Sequence, residues 1–142
     1  MLRRMDFFDI PVVLEIENRC FKNPWSEFAF WELMSRENCY CIVMANKKII
    51  GYGMSCLEDD KIHILNIAVE KKERRKGIGK RILQDILEYG ASNKKRGAIL
   101  EVRKRNCAAI SFYEKHHFKK IGVKRRYYSD DDAIIMERER GR

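Results

Sequence analysis

Ile62-His63-Ile64-Leu65-Asn66-Ile67-Ala68-Val69 runs into Glu70-Lys71-Lys72-Glu73 and then into Arg74-Arg75-Lys76-Gly77-Ile78-Gly79-Lys80. The first block is apolar on both faces, as a central strand is. Beyond the glycines, Ile78, Ile82, Leu83, Ile86 and Leu87 make one apolar stripe at helical period. The charged segment between them is therefore a strand-to-helix loop. Gly77 and Gly79 let backbone approach a ligand without a Cβ in the way. The helix start presents free N–H groups and the positive end of its dipole. Lys71, Lys72, Arg74, Arg75, Lys76 and Lys80 surround those amides, a setting that suits a pyrophosphate. The loop is neither GxxxxGK[ST] nor GxGxxG, so nucleoside triphosphate and dinucleotide binding are poorly supported. A glycine-rich turn on a basic surface accounts for the same residues with no ligand at all.

Outward from this loop the chain predicts mixed α/β order, β-α-α-β-β-β-α-β-α-β-β. Met1–Arg4 reads as a short strand. Asp6, Asp9 and Pro11 suit a helix start, with Val13, Ile16, Glu17 and Cys20 following at helical spacing. Asn23-Pro24 breaks the chain. Ser26 is an N-cap for a second helix expected to end near Glu37. Strands are expected at Tyr40–Met44, Ile49–Leu57, Ile62–Val69 and Ala98–Arg103. A short helix carries Ala109, Phe112, Tyr113 and His116. Strands at Phe118–Val123 and Ala133–Met136 flank a polar tip, Tyr128–Asp131.

The 142 residues, 45% hydrophobic with two prolines, suit one ordered domain over residues 1–142. No apolar run is long enough for a membrane span. Met1-Leu2-Arg3-Arg4-Met5-Asp6 is too polar for a secretion signal. Cys20, Cys39, Cys41, Cys56 and Cys107 are odd in number and contain no CxxC pair. They are expected to pack as small hydrophobes in a reducing cytoplasm rather than to form a disulfide framework or a zinc site. The three histidines form no metal-ligand pattern: His63 is expected to pack or line a rim, and His116 and His117 to end a helix. The net charge of +9 fits an anionic ligand, a ribosomal surface or RNA, and equally a solvated surface.

Arg74-x-x-Gly77-x-Gly79 resembles the Q/R-x-x-G-x-G/A signature of the GNAT superfamily. Much of the chain is similar to its RimI-type N-terminal acetyltransferases. The shared stretches include Asn23-Pro24-Trp25-Ser26, Asn66-Ile67-Ala68-Val69, Leu100-Glu101-Val102-Arg103, Asn106-x-Ala108-Ala109-Ile110-x-x-Tyr113-Glu114, Arg126-Tyr127-Tyr128 and Asp132-Ala133-Ile134-Ile135-Met136. The resemblance implies a mostly antiparallel mixed sheet splayed between its fourth and fifth strands, with helices on both faces. It implies acetyl-CoA as co-substrate and no metal. The pantetheine arm would lie along Ile67, Ala68 and Val69 and be bonded by Asn106. The segment Arg74, Arg75, Lys76, Gly77, Ile78, Gly79 and Lys80 would hold the pyrophosphate. The chain departs from the family at His116-His117-Phe118, where Leu-Gly-Phe is usual, which puts the turn after that helix in question.

Glu101 alternates with Leu100 and Val102 on a strand that reads as central. On the residues alone, an ion pair with Arg103 or another basic residue accounts for it. The resemblance implies a general base instead, acting directly or through water. Tyr113 reads alone as a core aromatic; the resemblance implies a proton donor to the departing sulfur, with a backbone N–H of Ile67–Val69 at the oxyanion. No cysteine is well placed to carry an acyl group, so direct attack is expected. An α-amine titrates at about 7.7–8.0 and a lysine at about 10.4, so a single carboxylate suits a protein N-terminus. Phe21 and Trp25 on one side, and Tyr127 and Tyr128 on the other, resemble the walls that hold the peptide. Their aromatics are also consistent with edge packing. The expected partners are protein N-termini, ribosomal proteins among them, with no membrane and no nucleic acid substrate. Two other readings stay open. One is a GNAT enzyme acting on lysine or a small amine, against which the acidic runs Glu58–Asp60 and Asp130–Asp132 read as turns. The other is a basic RNA-binding module, which lacks the aromatic stacking surface expected beside Lys71–Arg81.

Overall fold

Asp6 opens the first helical region in the computed structural model, which describes residues 1–140. Its carboxylate accepts from the Phe8 amide, while the Asp9 side chain accepts from the Asp6 amide. A 3-10 turn at Phe7–Asp9 leads into α1 (Ile10–Cys20), with Pro11 in the first turn. Ser26 caps α2 (Glu27–Met34) through the Ala29 amide. This helix stops earlier than expected: the Ser35 amide bonds back to Trp31 and Glu32, and the chain turns there.

The strands are β1 (Leu2–Arg4), β2 (Cys39–Ala45), β3 (Ile49–Glu58), β4 (Lys61–Val69), β5 (Gly97–Arg103), β6 (Lys119–Tyr128) and β7 (Asp131–Glu139). The remaining helices are α3 (Ile78–Ser92) and α4 (Cys107–Lys115). The element order matches the sequence reading. The seven strands form one sheet ordered β1-β2-β3-β4-β5-β7-β6, antiparallel except for β4 beside β5. The last hairpin is longer than its apolar pattern suggested. β6 is an edge strand, exposed on both faces, so its residues never had to alternate.

Helices cover both faces of the sheet. Ile82, Leu83 and Ile86 of α3, with Ile110 and Tyr113 of α4, pack on Ile42, Ile62, Ile64, Leu100 and Met136. Val13 and Ile16 of α1, with Phe30 and Leu33 of α2, pack on Val43, Tyr52, Met54 and Ala68. Gly53 permits the closest helix–sheet approach: a Cβ there would stand 2.7 Å from Ile82 Cγ2. No helix among the described residues is long and apolar enough to cross a membrane.

Two local features shape the cleft. β4 pairs with β5 only from Lys61–Gly97 to Ile64–Leu100. Along its other edge β4 shifts register against β3: Ser55 faces Ile64 while Met54 faces Asn66, leaving Leu65 as an extra residue. A bulge bends its strand. Here the bulge falls at the point where β4 parts from β5, so the expected splay lies between the fourth and fifth strands.

The cysteines correct the sequence reading. Cys39 and Cys56 sit directly opposite each other on β2 and β3 and are joined as a disulfide. Cys41 is buried and free, as packing requires. Facing positions on adjacent antiparallel strands hold their Cβ atoms close enough to bridge. That pairing depends on hairpin register, which a count of cysteines does not contain.

Candidate active site

Beyond Ile64 and Leu100 the separated strands open a cleft of about 690 Å³. Its floor and walls include Asn66 and Ile67 of β4, Glu101 and Arg103 of β5, and Asn106, Ala109 and Tyr113 from the α4 region. One outer wall is the α1–α2 loop, with Phe21, Lys22 and Trp25. The other is the end of β6 and the turn into β7, with Tyr127, Tyr128 and Asp130. Lys22 Nζ stands 3.7 Å from Asp130, linking the walls. The expected aromatics thus converge on one opening from segments about a hundred residues apart.

Glu101 projects from the face of β5 opposite to buried Leu100 and Val102. Arg103, the partner considered from sequence, is turned away to Asp130 and lies over the Tyr128 ring. Glu101 instead meets His63 Nε2 at 2.7 Å through Oε1 and Lys124 Nζ at 3.1 Å through Oε2. His63 Nδ1 lies 3.0 Å from Glu58. The hydrogen bond from His63 is the main influence holding the Glu101 carboxyl well below the usual carboxylate range, with Lys124 adding to it against the opposing effect of burial. The bond to Glu101 likewise raises His63 above the usual imidazole value. His63 had been read as a packing or rim residue. Its position depends on the parallel register that sets it opposite Ile99, two residues before Glu101, and no local pattern reveals that.

Tyr113 is buried against Phe112 and Phe118, yet it lines the cleft. No hydrogen bond to its hydroxyl occurs among the described residues, and no fully buried polar side-chain atom there lacks a partner. The hydroxyl therefore opens onto the cleft. Burial pushes its pKa far up, so it stays protonated. Asn106 caps α4, its Oδ1 accepting from the Ala109 amide at 3.1 Å, which leaves its amide N–H groups for the cleft.

The glycine loop is built as its residues suggested. Gly77 begins α3 at φ +79°, with nothing within 4 Å of a Cβ placed there. No side chain among the described residues caps this helix start, so the first-turn amides are open there. Arg75 and Lys80 are exposed, and no carboxylate among the described residues engages them. Open first-turn amides beside exposed cations are the features that a pyrophosphate site would need. Arg74 is placed differently: its Nε donates to the Val69 carbonyl at 3.0 Å and Nη2 lies 3.5 Å from the Cys20 sulfur. It braces the loop against the end of β4. At the far end of α4, His117 takes φ +70° and the Phe118 amide bonds to the Tyr113 carbonyl. The left-handed turn usual for glycine is thus kept by histidine.

Comparison with known proteins agrees with this geometry. The model of the acetyltransferase (GNAT) family matches residues 10–118. The chain is 32% identical over 135 residues to the [ribosomal protein bS18]-alanine N-acetyltransferase of Escherichia coli (strain K12), covering 90% of this chain and 89% of that protein. The crystal structure of the Escherichia coli ribosomal-protein-S18-alanine N-acetyltransferase superposes with a TM-score of 0.89 at 29% identity, covering 98% of this chain and 92% of that one. Ard1 from Thermoplasma volcanium superposes with a TM-score of 0.89 at 25% identity, covering 98% and 96%.

Proposed function

Because this chain belongs to the acetyltransferase (GNAT) family and is an acyltransferase, we propose that it transfers the acetyl group of acetyl-CoA to the α-amino group of protein N-termini. Residues 1–142 would act as one catalytic domain. The observation that carries this reading is the parting of β4 and β5 past Ile64 and Leu100, with Glu101 and Tyr113 lining the gap. The relatives named as ribosomal-protein alanine N-acetyltransferases support the acceptor class. Ribosomal proteins are therefore candidate acceptors, and the reaction is placed in the cytoplasm, where new N-termini and acetyl-CoA meet.

In this reading the first-turn amides of α3, with Gly77, Gly79, Arg75, Lys76 and Lys80, hold the pyrophosphate of the co-substrate. The edge of β4 at Ile67–Val69, which β5 does not pair and where Arg74 already takes the Val69 carbonyl, and the Asn106 amide hold its pantetheine arm. The acceptor enters between Phe21 and Trp25 on one side and Tyr127 and Tyr128 on the other. Its α-ammonium gives a proton to the Glu101–His63 pair, directly or through water. The neutral nitrogen attacks the thioester carbonyl, forming the C–N bond as the C–S bond breaks. A backbone N–H of Ile67–Val69 stabilises the oxyanion. Tyr113, kept protonated by burial, donates its proton to the departing thiolate, and the second proton that the nitrogen sheds on becoming an amide returns through water to the Tyr113 oxygen.

His63 changes what Glu101 does as a base. A carboxylate held far below its usual range is a weak acceptor by itself. Coupled to neutral His63, it passes the proton on and forms an imidazolium–carboxylate pair. The pair's basicity then lies nearer that of an α-amine.

The test is acetylation of short peptides with acetyl-CoA, the modified nitrogen located by mass spectrometry. Acetyl is expected on the α-nitrogen of peptides with free N-termini. N-terminally blocked peptides containing lysine should react far more slowly. Comparable rates on both sets would make this a general amine acetyltransferase.

A further inference from the structure

Four carboxylates line the cleft: Glu17, Glu101, Asp130 and Asp131. Three already face cations of the protein. Glu101 has His63 and Lys124, Asp130 has Arg103 and Lys22, and Asp131 has Arg105 at 3.8 Å. Glu17 is the exception. It is 1% exposed on the inner side of α1, and no ion pair among the described residues includes it. Its hydrogen-bond donors are all neutral: the Tyr52 hydroxyl and Asn66 Nδ2 (2.7 Å) to Oε1, and the Trp25 amide (2.9 Å) to Oε2.

A carboxylate has about four acceptor positions, so Oε2 keeps one that no described residue uses. Bracing Trp25 and Tyr52 does not require a charge. A glutamine could accept from Trp25 and donate to the Tyr52 oxygen, with the Asn66 amide turned over. A buried charge without a counter-charge is costly. That cost is relieved when a cation enters the cleft. The cleft places Glu17 beside Asn66 and Ile67, at the level where β4 separates from β5, and next to the loop that carries Trp25.

We propose that Glu17 is the anion that receives the protonated α-amino group of the acceptor, making it a binding residue at the peptide end of the cleft. This rests on the N-terminal acetylation reading above and adds its recognition step. Glu17 selects a cationic terminus on entry, and the Glu101–His63 pair then takes the proton. An opposite charge favours the ammonium over the amine. The contact therefore contributes to acceptor binding and not to the chemical step.

The test uses two probes, a short peptide with a free α-amine and the same peptide with an α-hydroxyl in its place. Each is titrated into the protein–CoA complex at pH about 6.5, where an α-amine is protonated. The wild type is expected to bind the amino peptide about 10- to 100-fold more tightly, the range for a hydrogen bond to a charged group. Glu17→Gln should bind both probes alike, with its acetyl-CoA affinity and melting temperature near wild type. Its KM for peptide should rise without a fall in kcat. Glu101→Gln should keep the preference, because His63 and Lys124 already meet that charge. A wild type without preference, a Glu17→Gln variant that retains it, or its loss in Glu101→Gln would each overturn the proposal. The Glu101→Gln arm also decides the matter if Glu17→Gln does not fold. Amino peptides that bind with the preference but are never acetylated would sink the activity reading and leave Glu17 standing. Acetylation without the preference would do the reverse, and no binding of the amino peptide would end both.

Discussion

At the scale of single residues, protonation is arranged around Glu101. Its partners His63 and Lys124 come from β4 and β6, on either side of β5. His63 is raised above the ordinary imidazole value, chiefly by its bond to Glu101, and accepts a proton only above that raised value. The rate should therefore climb as pH rises through a point above about 6.5. His63→Asn should abolish this limb of the kcat/KM profile and leave only the rise from the acceptor amine, near 7.7–8.0. Glu101→Gln should cost about 10²-fold, the lower end for loss of a general base, and the defect should shrink toward pH ~9 as free amine accumulates. A His63→Asn profile superimposable on wild type would remove His63 from the relay. The pair also links pH to stability. The share from His63 is complete below about 6.5 and is lost as pH rises through its raised value. The share from Glu101 holds above the ordinary carboxylate range and is lost on acidification through its depressed value.

At the scale of elements, the helix ends and one bulge shape the site. Ser26 and Asn106 cap their own helices, whereas the start of α3 is left open. The end of α4 carries a backbone cost. His117 occupies the left-handed region at φ +70°, exposed, where glycine would enter without strain. His117→Gly is expected to raise stability by about 1 kcal/mol, read as a higher melting temperature, with peptide acetylation unchanged. A lower melting temperature would mean that the His117 side chain makes a compensating contact. In β4, the extra residue Leu65 and the end of pairing at Ile64 coincide. The strand's irregularity and the cleft are therefore the same structural event.

At the scale of the whole molecule, part of the net charge of +9 lies around the open start of α3, where Lys71, Lys72, Arg74, Arg75, Lys76 and Lys80 follow one another. A ligand that binds only the folded state must raise its stability, by about 2.7 kcal/mol at a hundredfold excess over Kd. Acetyl-CoA should therefore raise the melting temperature. Gly79→Asp is a clean probe of the loop. A Cβ at Gly79 would meet only the Phe112 ring at 3.6 Å and Val69 at 3.8 Å, both ordinary contacts, so the variant should fold. Its carboxylate would sit against the pyrophosphate and should abolish most of the shift. A full acetyl-CoA shift in Gly79→Asp would show that the loop is not the cradle.

Local signals decided much of this protein before any coordinates. The 3.6-residue stripe after Gly79, the caps at Asp6 and Ser26 and the alternation around Glu101 each depend on neighbours a few residues apart. Element order and the open start of α3 were legible for that reason, whereas the two aromatic walls were suggested only by resemblance to a family. Contacts set by register were not. The Cys39–Cys56 bond, the His63–Glu101–Lys124 cluster, the turning of Arg103 to Asp130 and the bulge at Leu65 join residues from different strands. Shifting one strand by a single residue would exchange every partner while leaving each local pattern intact. Side chains at cross-strand distance are chosen by how the sheet is assembled, and only the assembled sheet specifies them.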